Sequence, residues 1–487
     1  MKSQPKVSLS RGVEWLPAAF AGLFGAFLGL SLLKFGNPPI MEKWVTTPGD
    51  VYEFLLGYPW PINWAYWLLA MISAAGLLVA RVKLAAPRWL VALPLAWLVW
   101  QIVAGVHTFD AQLTEPTLKH FTACVVCFYL GMFSLSWVRP LWLFWLGLSA
   151  GLLLVLAIGW QQHFGGLAES RQYFQLYVYP QMNDIPPEYL KKIMSNRIWA
   201  TLFYPNALAG VLLLLLPPAL GLIATARHRF TAPARWFLCG TIGIAGLGCL
   251  YWSGSKGGWL LMLFLGLIAL LRLPFRKSFK IGLLSLVLLG GLAGFFWKYS
   301  TFFKQGATSV SARFDYWRAA LQTVRDQPIL GTGPGTFAIP YQKIKRPESE
   351  MSRLVHNDYL EQASDSGLPG FALYGAFIVG GLVWAFPRST TLAANRDQAP
   401  SSAPPLNRSP NRNLNRPHSS SDVESNPEHD WTAFAVWLGV LGWALQGFFE
   451  FGLYIPALAW PAFTLLGWLL GRNAMSPKPI DKPRLGS

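Results

Sequence analysis

Apolar residues along this chain come in blocks of about twenty. Short basic turns and two long polar stretches separate them. A helical block of about that length crosses the hydrocarbon core of a bilayer. The pattern predicts spans near 14–34, 60–80, 88–106, 118–137, 140–160, 199–224, 235–253, 257–272, 279–298, 367–386, 431–450 and 452–471. Only a short turn near Gly452 divides the last two, so eleven is the alternative count. The first block, "WLPAAFAGLFGAFLGLSLL", is long enough to be a membrane helix. No small-residue cleavage site follows it cleanly, so it reads as a span and not as a cleaved signal.

Composition agrees with this pattern. The chain is 53% hydrophobic and 13% charged, with 24 Trp and a mean hydropathy of +0.35. A soluble domain carries about twice that share of charge. The expected fold is an all-α polytopic membrane protein of about twelve transmembrane helices. The net charge of +17 would suggest nucleic acid in a soluble chain. Here it falls in loops and sets orientation, and no nucleic-acid partner is expected. Cys124, Cys127, Cys239 and Cys249 all lie within apolar runs. "CVVC" has thioredoxin-like spacing, but no βαβ pattern surrounds it, so these read as small apolar helix residues.

Basic loops orient the bundle. With the N-terminus and its Lys2, Lys6 and Arg11 inside, the turns "RVKLAAPR", "VRP", "RHRFTAPAR" and "RLPFRKSFK" are also inside. The opposite side receives the acidic "HTFDAQLTEP" and two long segments, 161–198 and 299–366. Residues 387–430 are rich in Pro, Ser, Asn and Arg. They carry too little apolar area to offset chain entropy and read as a disordered inner loop. The tail at 473–487 is similar.

This topology brings four distant residues to the outer face: Arg197 in "NRIWATLFYPNALAG", Lys256 in "YWSGSKGGWL", Arg313 in "SVSARFDYWRAALQTVRDQPILGTGPGTF", and His356. A cation at a helix end often only snorkels to the interface. Anchors favour the inner side, however, and these face outward among small and turn residues. Outward cations beside lipid suit an anionic headgroup, and a diphosphate suits Arg forks best. Around Arg313, the spacing of Phe314, Trp317, Leu321 and Val324 predicts a helix that Pro328 ends. Its apolar stripe either lies on the bilayer or packs on the bundle, with Arg313 at its edge. "GTGPGTF" is either a tight turn or a backbone cradle for an anion.

The stretch "LVHNDYLEQASDSGLPG" at 354–370 gathers charge directly ahead of an apolar block. Helical spacing puts Asp358, Glu361 and Asp365 on one face. That face is either solvated or part of a site. His356, beside Asn357, has the chemistry to take a proton from a hydroxyl, with a nearby carboxylate to orient it.

"RIWATLFYPNALAG", "SGSKGGWL", "ARFDYWRAALQTVRDQPILGTGPGTF", "HNDYLEQASDSGLPG" and "FFEFGLYIPALAWPAFTLLGWLLG" together resemble the O-antigen ligase/polymerase family, in that family's order. The motif-bearing resemblance spans roughly 195–470; the first five spans resemble it in hydropathy alone. It implies an inverting membrane glycosyltransferase of GT-C-type architecture. Such an enzyme moves a glycan from undecaprenyl diphosphate to an acceptor hydroxyl, without nucleotide sugar, cofactor or essential metal. The partners it implies are the lipid-linked glycan, membrane lipids, and a lipid A core or glycan acceptor. The location it implies is the bacterial inner membrane, with the active site facing the periplasm. Diphosphate binding falls on Arg197, Lys256 and Arg313, and acceptor activation on His356, with Arg313 also counted in the catalytic set. Asn206, Asn357, Asp358, Glu361 and Asp365 are supporting candidates. The family often has Arg where this chain has Lys256.

The organisation expected is a bundle at 1–198, a ligase-like core at 199–386 holding the outer loop 299–366, the loop 387–430, a helical pair at 431–472 and the tail 473–487. A sister activity, polymerase or protein oligosaccharyltransferase, shares the donor chemistry and differs in acceptor. A lipid transporter would favour charges near the midplane and internal repeats; this chain has its charges at outer ends. A scaffold role is a third reading. The topology itself is testable by cysteine labelling. An impermeant reagent applied to intact spheroplasts should label a cysteine near Ser349 and spare one near Ser420. The reverse pattern would overturn the orientation.

Overall fold

The computed structural model describes residues 15–36, 45–55, 59–181, 194–273, 275–304, 308–347, 349–387 and 427–472. The expectations for Lys2, Lys6, Arg11, most of the 387–430 loop and the tail lie outside these residues. Every regular element among them is helical. The main helices are α1 (Trp15–Lys34), α2 (Ile62–Val79), α3 (Arg88–Val106), α4 (Ala111–Tyr129), α5 (Trp142–Gln161) and α6 (Pro205–Thr225). There follow α7 (Ala232–Ser253), α8 (Lys256–Arg272), α9 (Lys277–Lys304), α10 (Thr308–Asp326), α11 (Asp358–Ala385), α12 (Pro427–Gln446) and α13 (Pro456–Arg472).

Nine helices among the described residues are long and apolar enough to cross a membrane. Three expected spans are shorter as built: α8 and α13 have 17 residues each, and the apolar part of α12 is Trp431–Gln446. Large apolar side chains on the flank formed by α7 to α9, such as Trp236, Ile244, Leu286 and Trp297, are exposed. Water would penalise that surface and lipid would not. The chain is a multi-pass membrane protein.

Glycines set the tightest helix crossings. On α1 and α5, Gly25 and Gly29 face Gly147 and Gly151. A Cβ at Gly151 would come 2.5 Å from the Gly29 Cα, and one at Gly25 would strike the Phe144 carbonyl. Both helices thus carry the small-xxx-small spacing that lets backbones touch in a bilayer. The same device seats α13, where Gly467 meets the Phe128 backbone. From Pro456 to Gly471, α13 is buried on every side, which makes it the central post of the bundle.

Consecutive helices reverse direction, so the turns sort to two ends. The basic turns at 80–87, 138–141, 226–231 and 275–276 share one end; there Arg272 Nη1 donates to the Pro387 carbonyl at 2.8 Å. The other end holds residues 194–204, the α7–α8 turn, α10, the start of α11 and the α12–α13 turn. The predicted outer loop 299–366 is largely folded. α9 runs to Lys304, α10 and a short helix at Ala338–Ile344 follow, and α11 starts at Asp358. The apolar stripe on α10 is divided: Phe314 and Leu321 are exposed, while Trp317 packs beside Tyr316, Ala319 and Ala320, which are buried against Phe337, Tyr341 and Val355.

α11 bends at Ser366–Gly367, where Gly367 adopts φ +71°. The groups freed by the bend find partners. Trp100 Nε1 donates to the Ser366 carbonyl at 2.7 Å, and the Leu368 N–H donates to the Pro328 carbonyl at 2.8 Å. Gln101 bridges Gln362 and the Ser366 hydroxyl. A buried backbone group left alone in lipid would cost several kcal/mol, so this satisfaction fixes the bend.

The α1–α5 crossing yields the prediction here. Gly29→Val and Gly151→Val should each destabilise the folded protein by about 1–3 kcal/mol through overpacking. Gly240→Ala, where nothing lies within 4 Å of an added Cβ, should change little. Thermal midpoints in detergent, read by size-exclusion recovery, compare the three.

Candidate functional site

Arg197 enters from the segment ahead of α6. Its Nε donates to the Ser253 carbonyl at 2.7 Å and its Nη2 to Asn206 Oδ1 at 2.9 Å. The α7–α8 turn closes over it through Gly254, at φ +63°, where a Cβ would sit 3.1 Å from the Arg197 Nε. Ser255 then caps α8 by accepting from the Gly258 N–H at 3.3 Å. Lys256, the first residue of α8, holds its ammonium 5.2 Å from the Tyr299 ring centre. Lys298 on α9 lies 5.6 Å from the same ring and donates to the Tyr251 carbonyl. Sequence reasoning passed over Lys298, which reads as one more cation near a span end.

Arg313 on α10 donates through Nε to the Phe449 carbonyl at 3.1 Å and through Nη2 to Glu450 Oε1. Glu450 was also missed by the sequence reading. It follows α12 in "FFEFGLY" and is 5% exposed. Four side chains converge on its carboxylate. Besides Arg313, Asn206 Nδ2 donates to Oε1 at 2.6 Å and the Tyr204 hydroxyl donates to Oε2 at 3.1 Å. His356 Nδ1 lies 3.5 Å from Oε2. The signal available beforehand was an isolated acid inside an apolar run, which marks a functional candidate in a membrane protein.

His356 is held in the left-handed region at φ +55°, an uncommon setting for a side-chain-bearing residue. Its ring stacks on Tyr316 at 5.6 Å and meets Phe451 edge-on at 4.8 Å. Asn357 caps α11, accepting from the Tyr359 and Leu360 N–H groups.

The acids of α11 do share a face, but it is not solvated: Asp358, Glu361 and Asp365 are all buried. Each ties down a different strap of backbone. Asp358 Oδ2 accepts from the Leu453 N–H at 3.1 Å, and its own N–H donates to the Gly447 carbonyl, so it clamps the turn that carries Glu450. Glu361 Oε2 accepts from the Val355 N–H at 3.2 Å, one residue before His356. Asp365 Oδ2 accepts from the Gly335 N–H at 2.7 Å. The carboxylate that reaches His356 is Glu450, from another part of the chain.

The glycine-rich stretch is a structural turn. Gly331, Gly333 and Gly335 all have positive φ. Their neighbourhood spends its N–H groups internally: Thr332 and Gly333 donate to the Ser364 and Asp365 carbonyls, and Gly335 to the Asp365 carboxylate. The group in this cradle is the protein's own carboxyl, Asp365.

Charge at the site is finely matched. Burial alone would raise the Glu450 carboxyl, but the Arg313 charge, the nearby His356 imidazole and a hydrogen bond from Tyr204 hold it below its ordinary value. Burial would lower Arg313, yet Glu450 carries it above its usual value. Burial and the Glu450 charge both push the Tyr204 phenol up, so it remains a donor. The arrangement therefore contains a fixed carboxylate, cations held by the backbone on two sides of it, and one half-buried imidazole. Among the described residues, no group of three or more His, Cys, Asp or Glu is placed to hold a metal ion.

Comparison with known proteins fits this geometry. Residues 241–375 match the family model described as O-antigen ligase. That region contains Lys256, Lys298, Arg313 and His356. An uncharacterized protein of Haemophilus influenzae is 30% identical over 142 residues, which cover 24% of this chain and 36% of that protein.

The acids generate a testable difference. Asp365→Ala strands the buried Gly335 N–H and should cost about 1–3 kcal/mol of stability. Its main effect should be less folded protein in the membrane. Full stability with selective loss of activity would instead make Asp365 a group that meets substrate.

Proposed function

We propose that this chain, which carries an O-antigen ligase family domain, transfers a glycan from a polyprenyl diphosphate to an acceptor hydroxyl. The observation that carries this reading is the convergence of Arg197, Lys256, Arg313 and His356 at one end of the bundle, opposite the basic turns. Under the positive-inside rule that end is periplasmic and the membrane is the inner one. The shorter helices α8, α12 and α13 complete twelve crossings in this reading. Undecaprenyl diphosphate is the donor lipid it implies.

The chemistry follows from the groups present. The acceptor oxygen attacks the anomeric carbon from the face opposite the leaving group. The carbon–oxygen bond to the diphosphate breaks, and its electron pair leaves with the diphosphate, which inverts the anomeric centre. The hydroxyl proton passes to His356 Nε2 and then to water. Arg197, Lys256 and Arg313, with Lys298 beside them, stabilise charge that grows on the leaving oxygen. A diphosphate neutralised in this way needs no covalent enzyme intermediate. The exposed Phe314 and Leu321 on α10 would dip toward lipid beside the donor.

Purified protein given a lipid-linked glycan should release the polyprenyl diphosphate, whereas a transporter would leave the donor intact. His356→Ala should lose about 10²–10⁴-fold in transfer rate while donor binding survives. His356→Gln should resemble Ala; near-normal transfer by Gln would remove the proton-acceptor role. Arg313→Lys keeps charge but loses the fork, so donor handling should weaken, and Arg313→Ala should be worse. Lys256→Arg should be tolerated. Mass spectrometry of surface glycans in a deletion strain would then name the acceptor: lipid A core, growing polymer or protein.

A further inference from the structure

We propose that Glu450 is the positioning residue of this site: one carboxylate orients the His356 imidazole through Nδ1 and holds Arg313 at a set distance from it. The inference rests on the transfer reading above and assigns its missing orienting group. A general base needs its lone pair aimed at the substrate, and the partner of the other ring nitrogen decides which nitrogen that is. Glu450 Oε2 stands 3.5 Å from Nδ1. An ionised carboxylate at that distance favours, by its charge, the tautomer with hydrogen on Nδ1, which keeps the lone pair on Nε2. The other oxygen accepts from Arg313 and Asn206. Proton acceptor and diphosphate cation are therefore referenced to one rigid group.

Three observations make Glu450 a built feature. Its turn is clamped from α11 by Asp358, through the Leu453 N–H and the Gly447 carbonyl. Its neighbour Phe451 stacks on Tyr204 at 5.2 Å and meets His356 edge-on. Its neighbour Phe449 gives its carbonyl to Arg313. The residues on both sides of the carboxylate thus touch the groups that the carboxylate itself positions.

Against the His356 ring stand Glu450 from the α12–α13 turn, Tyr204 from the segment ahead of α6 and Tyr316 from α10, with Arg313 of α10 bound to the same carboxylate. Glu450 supplies the negative charge closest to Nδ1. Glu450→Gln removes that charge while keeping size and hydrogen bonding. The imidazolium then loses its counter-charge and faces Arg313 uncompensated. An opposite charge at this range is worth about 1–3 pH units.

The test reads His356 directly. Intact protein is treated with diethyl pyrocarbonate, which modifies neutral imidazole, across a pH series. Mass spectrometry follows the peptide containing His356. In Glu450→Gln the midpoint should move about 1–3 units to lower pH, and the acid limb of kcat/KM should move with it as kcat falls at least tenfold. Glu450→Asp keeps the charge and should keep the midpoint near wild type while kcat falls. An unmoved midpoint in folded Glu450→Gln protein overturns the proposal, whatever happens to rate. If the midpoint moves but wild-type protein releases no polyprenyl diphosphate, the positioning stands and the transfer reading falls. A wild-type rate in Glu450→Gln with His356→Ala still inactive removes Glu450 and leaves the transfer reading.

Discussion

The arrangement at this end of the bundle depends on one buried negative charge. Removing a carboxylate from water costs several kcal/mol, and the cost is met only when partners are supplied in good geometry. Glu450 receives them from three separate parts of the chain: Arg313 from α10, Asn206 and Tyr204 from the start of α6, and His356 from the strap before α11. Deleting any one partner leaves part of that cost uncovered, and deleting Arg313 leaves an uncompensated charge worth about 3–5 kcal/mol. The carboxylate therefore assembles the site as well as belonging to it. Residues more than a hundred positions apart are brought within hydrogen-bonding range because the alternative is an unpaired ion in a dry place.

The acids of α11 work on the same principle one step further out. Asp358, Glu361 and Asp365 bind backbone N–H groups of three different straps. A helix is a rigid rod, so three fastenings along one face hold the three straps in fixed register. One strap carries Glu450, one carries His356 and one is the glycine turn. The question raised by charge gathered ahead of an apolar block has a structural answer: these carboxylates replace the water that loop backbone would otherwise need. Positive φ at Gly331, Gly333 and Gly335 lets that backbone come close enough to be reached. A side chain at Gly333 would collide with Thr108.

Much of this architecture was legible in the chain. Period and length located nine apolar helices long enough to cross a membrane, though α4, α6 and α11 begin six to nine residues from the expected positions; lipid forces backbone satisfaction inside each helix and leaves few alternatives. Turn charge sorted Arg197, Lys256, Arg313 and His356 to one end, where the structure has them. The α10 helix was also readable, but its spacing left open whether the stripe meets lipid or the bundle. Phe314 and Leu321 are exposed, whereas Trp317 packs with Tyr316, Ala319 and Ala320. Hydropathy cannot separate a face that meets protein from one that meets lipid, since both are apolar. Glu450 was missed for the opposite reason. It is one acid in a strongly apolar stretch, and nothing local reveals that Arg313, 137 positions away, pairs with it. The glycine crossings of α1 and α5 were visible as spacing, at Gly25 and Gly29 and at Gly147 and Gly151, but the pairing of the two helices is a tertiary fact.

The distribution of partners among the cations separates their roles. Arg197 and Arg313 are each held by a backbone carbonyl and a side-chain oxygen. Their forks are already oriented, so little side-chain entropy remains to be lost when an anion arrives. Lys256 stands over the Tyr299 ring, and Lys298 lies over the Tyr251 ring at 3.1 Å and donates to the Tyr251 carbonyl. Lys256 feels the charges of both Arg197 and Arg313, and Lys298 those of Arg197 and Lys256. Like charges gathered beyond the reach of one carboxylate repel each other until an anion joins them. Two fixed guanidinium groups and two lysines beside aromatic rings leave this end of the bundle with an excess of positive charge that a bound anion would offset. Lys256 stands at the α7–α8 turn in place of an arginine fork, and Lys298 on α9 places a second positive charge beside the same Tyr299 ring.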